Sequence, residues 1–135
     1  MTSFENADIL IITLVGYKVY MSGDKMKAIL ITTQLKVTKV NKSFVDIQTH
    51  FPNGFVEIMI SSRLPAGTVM IVQTDGSWHS SENPLGTYLF GSPGTVVYGD
   101  VFIVRQNSRG DFSGLKSDQC DKIMTLINQW IGRNS

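Results

Sequence analysis

The chain has 135 residues, 42% hydrophobic and 17% charged, and its 12 basic and 11 acidic side chains give a formal charge of +1. That is the make-up of one globular domain able to bury a core without staples, not of a disordered tract. The charge balance argues against a basic face that grips duplex nucleic acid. The single cysteine, Cys120, excludes an intrachain disulfide and a thiolate zinc cluster and fits a reducing compartment.

Ile9 to Met21 is rich in Ile, Val, Leu and Tyr, which suit a pleated, half-buried surface. Its apolar run, Ile9–Val15, is far shorter than the roughly 20 residues of a membrane span. It follows Glu5 and Asp8 rather than a basic segment, and no small-residue cleavage pattern comes after it, so it does not read as a secretory leader. Left free, the run would expose a large apolar surface. The expectation is an ordered strand, joined through the Ser22–Lys25 turn to Met26–Thr32 as an antiparallel hairpin, in a soluble cytoplasmic chain.

Lys27 to Val40 is the next strand region, either one strand or two short ones with a turn at Thr33-Gln34. Lys36, Thr38 and Val40 alternate with Leu35, Val37 and Lys39, as on a strand with one wet face. The period then changes. Phe44, Ile47 and Phe51 share one face of a helix over Ser43–Phe51, capped by Asn41 or Ser43 and ended by Pro52-Asn53-Gly54. Phe55–Ser61 reads as a strand, Leu64–Gly67 as a turn, and Thr68–Gln73 as a strand stopped by Asp75-Gly76.

After the polar and aromatic stretch Trp78–Ser81, Asn83-Pro84 starts a short helical turn with Leu85, Leu89 and Phe90 as its apolar residues. Ser92-Pro93-Gly94 breaks the chain, Val96–Arg105 reads as a buried strand, and Gln106–Gly114 as a polar loop. Ser117 is expected to cap the last helix, with Asp118 and Asp121 near the positive end of its dipole. Cys120, Ile123, Met124, Ile127, Trp130 and Ile131 follow helical spacing, and Gly132 marks the end. Together these elements predict a single α+β domain over residues 1–135, with a mostly antiparallel sheet, a short internal helix and a C-terminal helix.

Met26-Lys27-Ala28-Ile29-Leu30-Ile31-Thr32-Thr33 resembles the usual opening of the phage- and plasmid-borne family called domain of unknown function 3846. The likeness continues through the Phe44–Phe51 helix, Gly54-Phe55-Val56-Glu57-Ile58, Glu82-Asn83-Pro84-Leu85-Gly86-Thr87 and Val97-Tyr98-Gly99-Asp100-Val101. It extends to Gly114-Leu115 and the last helix, about residues 26–132 in all. The resemblance implies a small phage or mobile-element domain in the cytoplasm of a bacterial host, without an established chemistry or catalytic residues. Residues 1–25 lie ahead of the usual family start, as an extra strand or through an upstream start codon.

The sequence offers little catalytic machinery. Its histidines are His50 and His79, with no His-Glu-x-x-His helix. Gly91-Ser92-Pro93-Gly94 lacks the Lys-Ser/Thr of a phosphate-binding loop, and Ser77, Ser80 and Ser81 sit in no nucleophile elbow. No catalytic residue, metal or cofactor is expected. His50 reads as a solvated residue at a helix end and Cys120 as a packed thiol.

The candidate ligand-binding residues are Trp78, His79, Asn83, Tyr88, Asp100, Arg63 and Arg105. Aromatic faces stack on bases, short polar side chains fix orientation, and arginines meet phosphate. The structural alternatives are that Asn83 caps the Pro84 turn and that Asp100 binds loop amides beside Gly99. With the family context, the expected function is a non-enzymatic accessory protein that counters a bacterial defence system. It would bind a nucleotide-like signal or a host protein. The alternative is an interaction module that oligomerises through an edge strand, Ile9–Met21, and a small nucleotide-processing enzyme is the third reading.

Overall fold

A computed structural model of the chain describes residues 24–52, 54–76 and 80–134. The elements run β1 (Met26–Ile31), β2 (Val37–Lys42), α1 (Phe44–His50), β3 (Val56–Met59), β4 (Thr68–Gln73), α2 (Pro84–Phe90), β5 (Val101–Gln106), β6 (Phe112–Ser113) and α3 (Ser117–Arg133). The strands form one sheet in the order β2-β1-β5-β4-β3, with β6 also paired to β5, and every pairing is antiparallel. The fold is α+β, as the alternation of strands and helices predicts.

Both faces of the sheet are covered, and side-chain alternation assigns the residues. On one face Ile29, Ile31, Met70, Val72, Val101 and Ile103 pack with Leu85 and Leu89 of α2 and Ile123 and Ile127 of α3. On the other, Met26, Ala28, Val69, Ile71, Phe102 and Val104 pack with Phe44, Ile47 and Phe51 at α1. All six residues of β4 are buried. This is why Thr68–Gln73 reads as a continuous apolar run rather than an alternating one. Each large side chain sealed this way contributes roughly 1.5–3 kcal/mol.

The sheet's outer strands are unlike each other. β2 carries exposed Lys39 and Lys42, with exposed Lys36 just before it, and charged edges of this kind resist pairing with a second chain. β3 is flanked instead by Phe55, 62% exposed, and Ile60, 74% exposed.

Several boundaries differ from the sequence reading for physical reasons. The strand expected from Val96 starts at Val101, because Gly99 takes φ +81, outside the extended region. The expected strand Phe55–Ser61 is only Val56–Met59. The turn at Asn83-Pro84 is a seven-residue helix, and the Gln106–Gly114 loop contains β6. Ser117 does not cap α3. Lys116 occupies that position, and its backbone N–H donates to Gln119 Oε1 at 2.9 Å.

The hairpin expected to join Ile9–Met21 to Met26–Thr32 falls on residues outside those described. β1 is paired to β2 along its whole length, and its other side is taken by β5 at Ile29–Ile31 and by Leu115, whose N–H donates to Lys27 O at 3.0 Å. Among the described residues, no helix is long and apolar enough to cross a membrane.

Candidate functional site

The strand directions bring the end of β1, the end of β4 and the start of β5 to one end of the sheet. The last turn of α1 reaches the same end. This helix forms where it does because of a reciprocal cap. The Ser43 hydroxyl accepts from the Asp46 N–H, and the Ser43 N–H donates to Asp46 Oδ2, both at 3.1 Å. The Ser43 amide, followed by Lys25 at 3.2 Å, holds the Asp46 carboxyl below its ordinary value. The cap fixes where α1 begins, and Phe51, extended at φ −94 and ψ 141, ends it just after His50.

His50 Nε2 lies 2.8 Å from Asp100 Oδ2, the residue just ahead of β5. Its ring is edge-on to Phe51 and Phe102, with centroids 5.3 and 5.0 Å away. His50 is, as expected, an exposed residue at the end of α1, with 34% of its side chain accessible, and its ring is also paired and packed. Asp100 Oδ1 accepts from the Thr33 N–H at 3.1 Å. That is a loop amide beyond β1, not one beside Gly99.

Gln73 closes the other side. Its Oε1 accepts from the Ser80 hydroxyl at 3.0 Å. Its Nε2 is buried without a partner among the described residues, although Gln73 is only 6% exposed. Gly99 lets the walls approach: its N–H donates to Ser81 O at 2.8 Å, and a Cβ there would lie 3.3 Å from Ser80 Oγ. The result is an open cleft of about 210 Å³ lined by Thr33, His50, Gln73, Ser80, Ser81 and Asp100, among others.

Asn83 holds this end together from below. It is fully buried. Its Nδ2 donates to Ile31 O at 3.1 Å and Gly99 O at 2.9 Å, and its Oδ1 accepts from the Gly86 N–H at 2.9 Å. One side chain thus ties β1, the approach to β5 and the first turn of α2. It offers no solvent-facing atom to a ligand; it caps α2, as its place before Pro84 suggests.

The remaining candidates separate. Trp78 and His79 lie outside the described residues, between Gly76 and Ser80. Tyr88 and Arg63 are together, with the guanidinium 4.4 Å from the ring centroid. Arg105 is near the far end of β5, where Nε donates to Gly114 O at 3.0 Å, roughly 15 Å along the strand from Asp100. Sequence reasoning missed Gln73 and His50. The only signal for Gln73 was a polar residue ending an otherwise apolar strand. Among the described residues, no group of three or more His, Cys, Asp or Glu side chains could hold a metal ion.

No family model, curated protein or solved structure matches the chain.

Proposed function

We propose that the chain is a binding module whose ligand is a small polar molecule seated between His50, Gln73, Ser80 and Asp100. The unpartnered Gln73 amide supports this most directly. A buried donor left unmade costs roughly 1–3 kcal/mol, which an acceptor on a ligand removes. A cleft of about 210 Å³ is below the usual range of ligand pockets, roughly 300–1,000 Å³. It suits a nucleobase-sized group with the rest of the molecule outside. The setting that accords with the resemblance to the phage- and plasmid-borne family is an accessory protein that counters a bacterial defence by sequestering a nucleotide-like signal.

The test is a thermal-shift panel of nucleosides and of linear and cyclic nucleotides. A ligand at a hundred times its Kd stabilises by about 2.7 kcal/mol, and the Gln73→Leu variant should lose that response. No shift with any member at millimolar concentration overturns the cleft reading. Conversion of one of them to product would replace binding with catalysis.

The β3 edge favours a second reading, self-association or the covering of a host protein. Phe55 and Ile60 flank a strand paired only to β4 among the described residues, and exposed edges of this kind accept a further strand. Light scattering after size-exclusion chromatography tests the self-association arm. A strict monomer at high micromolar concentration removes it.

A further inference from the structure

Arg63, Tyr88 and Arg133 come from three separate segments and meet where α2 and α3 end. The Arg63 guanidinium carbon is 4.4 Å from the Tyr88 ring centroid, and that of Arg133 is 6.0 Å away. Both distances fall within the reach of cation–π attraction, about 6 Å.

The backbone at Arg63 is held by its surroundings, and the residue is exposed. Its backbone N–H and that of Leu64 donate to Ser61 Oγ at 2.8 and 3.0 Å, and the Ser61 hydroxyl donates to Leu89 O in the last turn of α2. The side chain then crosses the helix end beside Gly91, where a Cβ would lie 3.1 Å from Arg63 Nε. Arg133 closes α3.

One cation near each helix C-terminus is ordinary compensation of the helix dipole. Dipoles do not account for two like charges converging on one phenol ring. Lys25 pairs with Asp46, His50 with Asp100 and Arg109 with Asp111, and among the described residues neither guanidinium meets a carboxylate.

We propose that Arg63, Tyr88 and Arg133 form a second binding site, which holds a phosphate-type oxyanion between the two guanidiniums. The planar forks supply paired donors suited to such an anion, and the ring is the platform that aligns them. The site is separate from the cleft and does not rest on it. Asn83 marks the cleft end of α2 and Gly91 the other, roughly 12 Å apart at 1.5 Å per residue.

The test is a titration of the arginine Nε–Hε resonances of the full chain with inorganic phosphate and, separately, a nucleoside monophosphate. Sodium chloride at equal ionic strength is the control. Arg63 and Arg133 should shift together and saturate. Arg133→Gln, at an exposed position, should weaken binding about tenfold, the loss of one charge-assisted contact, and Tyr88→Phe should retain it. Saturation with either probe supports the site, and the tighter probe identifies the source of the anion. Shifts that never saturate, shifts that chloride reproduces, or an Arg133→Gln variant of unchanged affinity overturn it.

Discussion

His50 and Asp100, 50 positions apart in the chain, meet through a 2.8 Å contact that joins the last turn of α1 to the entry of β5. Both side chains are partly exposed, at 34% and 26%, so solvent screens the pair. A double-mutant cycle with His50→Ala and Asp100→Ala should return a coupling of about 0.5–1 kcal/mol in urea unfolding. Zero coupling would mean that the contact does not persist in solution.

Asn83→Ala should be far more damaging. It removes two donated bonds and one accepted bond from a fully buried position, and the stranded backbone groups cannot reach water. The expected loss is roughly 3 kcal/mol or more. A loss below about 1 kcal/mol would show that the interior rearranges to replace those bonds.

Gly99→Ala tests the wall of the cleft. Alanine at φ +81 is strained by about 1–2 kcal/mol, and its methyl would press on Ser80 Oγ at 3.3 Å. We expect lower stability and weaker ligand binding together. Unchanged stability would contradict the backbone conformation assigned to Gly99.

The lowered Asp46 carboxyl makes a statement about pH. Its folded value lies below the ordinary 3.8, with the Ser43 amide as the larger cause and Lys25 the smaller. The stabilisation is therefore fully present above the unfolded value and is lost as pH falls through the lower folded one. Carbon NMR of the Asp46 carboxyl should show it titrating below the ordinary 3.8. Lys25→Ala should reduce the shift without abolishing it, because the Ser43 amide remains. Complete loss of the shift in that variant would reverse the order of causes.

Much of the scaffold was legible in the sequence. Asn41 or Ser43 as a cap, and Phe44, Ile47 and Phe51 in helical register, marked α1. The apolar run Thr68–Gln73 between two turn signals marked β4 to the residue. Local chemistry decides such elements, and local chemistry is what a sequence displays. The start of β5 was misplaced because Val96 and Val97 look like strand, while the break depends on the conformation of Gly99. Two-residue β6 has no pattern of its own.

The candidate site was less legible, since its contacts are long-range. Asp100 was singled out, but its partners are Thr33 and His50, 67 and 50 positions away. Nothing near His50 in sequence announces that pairing. Gln73 gave no signal beyond its place at a strand end, and its importance lies in an amide that packing left unpaired.

The bonds of Asn83 also bear on how the molecule breathes. The first turn of a short helix ordinarily frays, since its leading N–H groups lack partners within the helix. Here the Gly86 N–H is held by Asn83 Oδ1 in a buried setting, while Asn83 Nδ2 grips β1 and the approach to β5. Freeing that proton to exchange with solvent requires the sheet end to part as well. In native-state deuterium exchange the Gly86 amide should therefore be among the slowest protons, exchanging with the central strands as one cooperative unit. The start of α2 then opens last, and this end of the sheet keeps its shape until the whole chain unfolds.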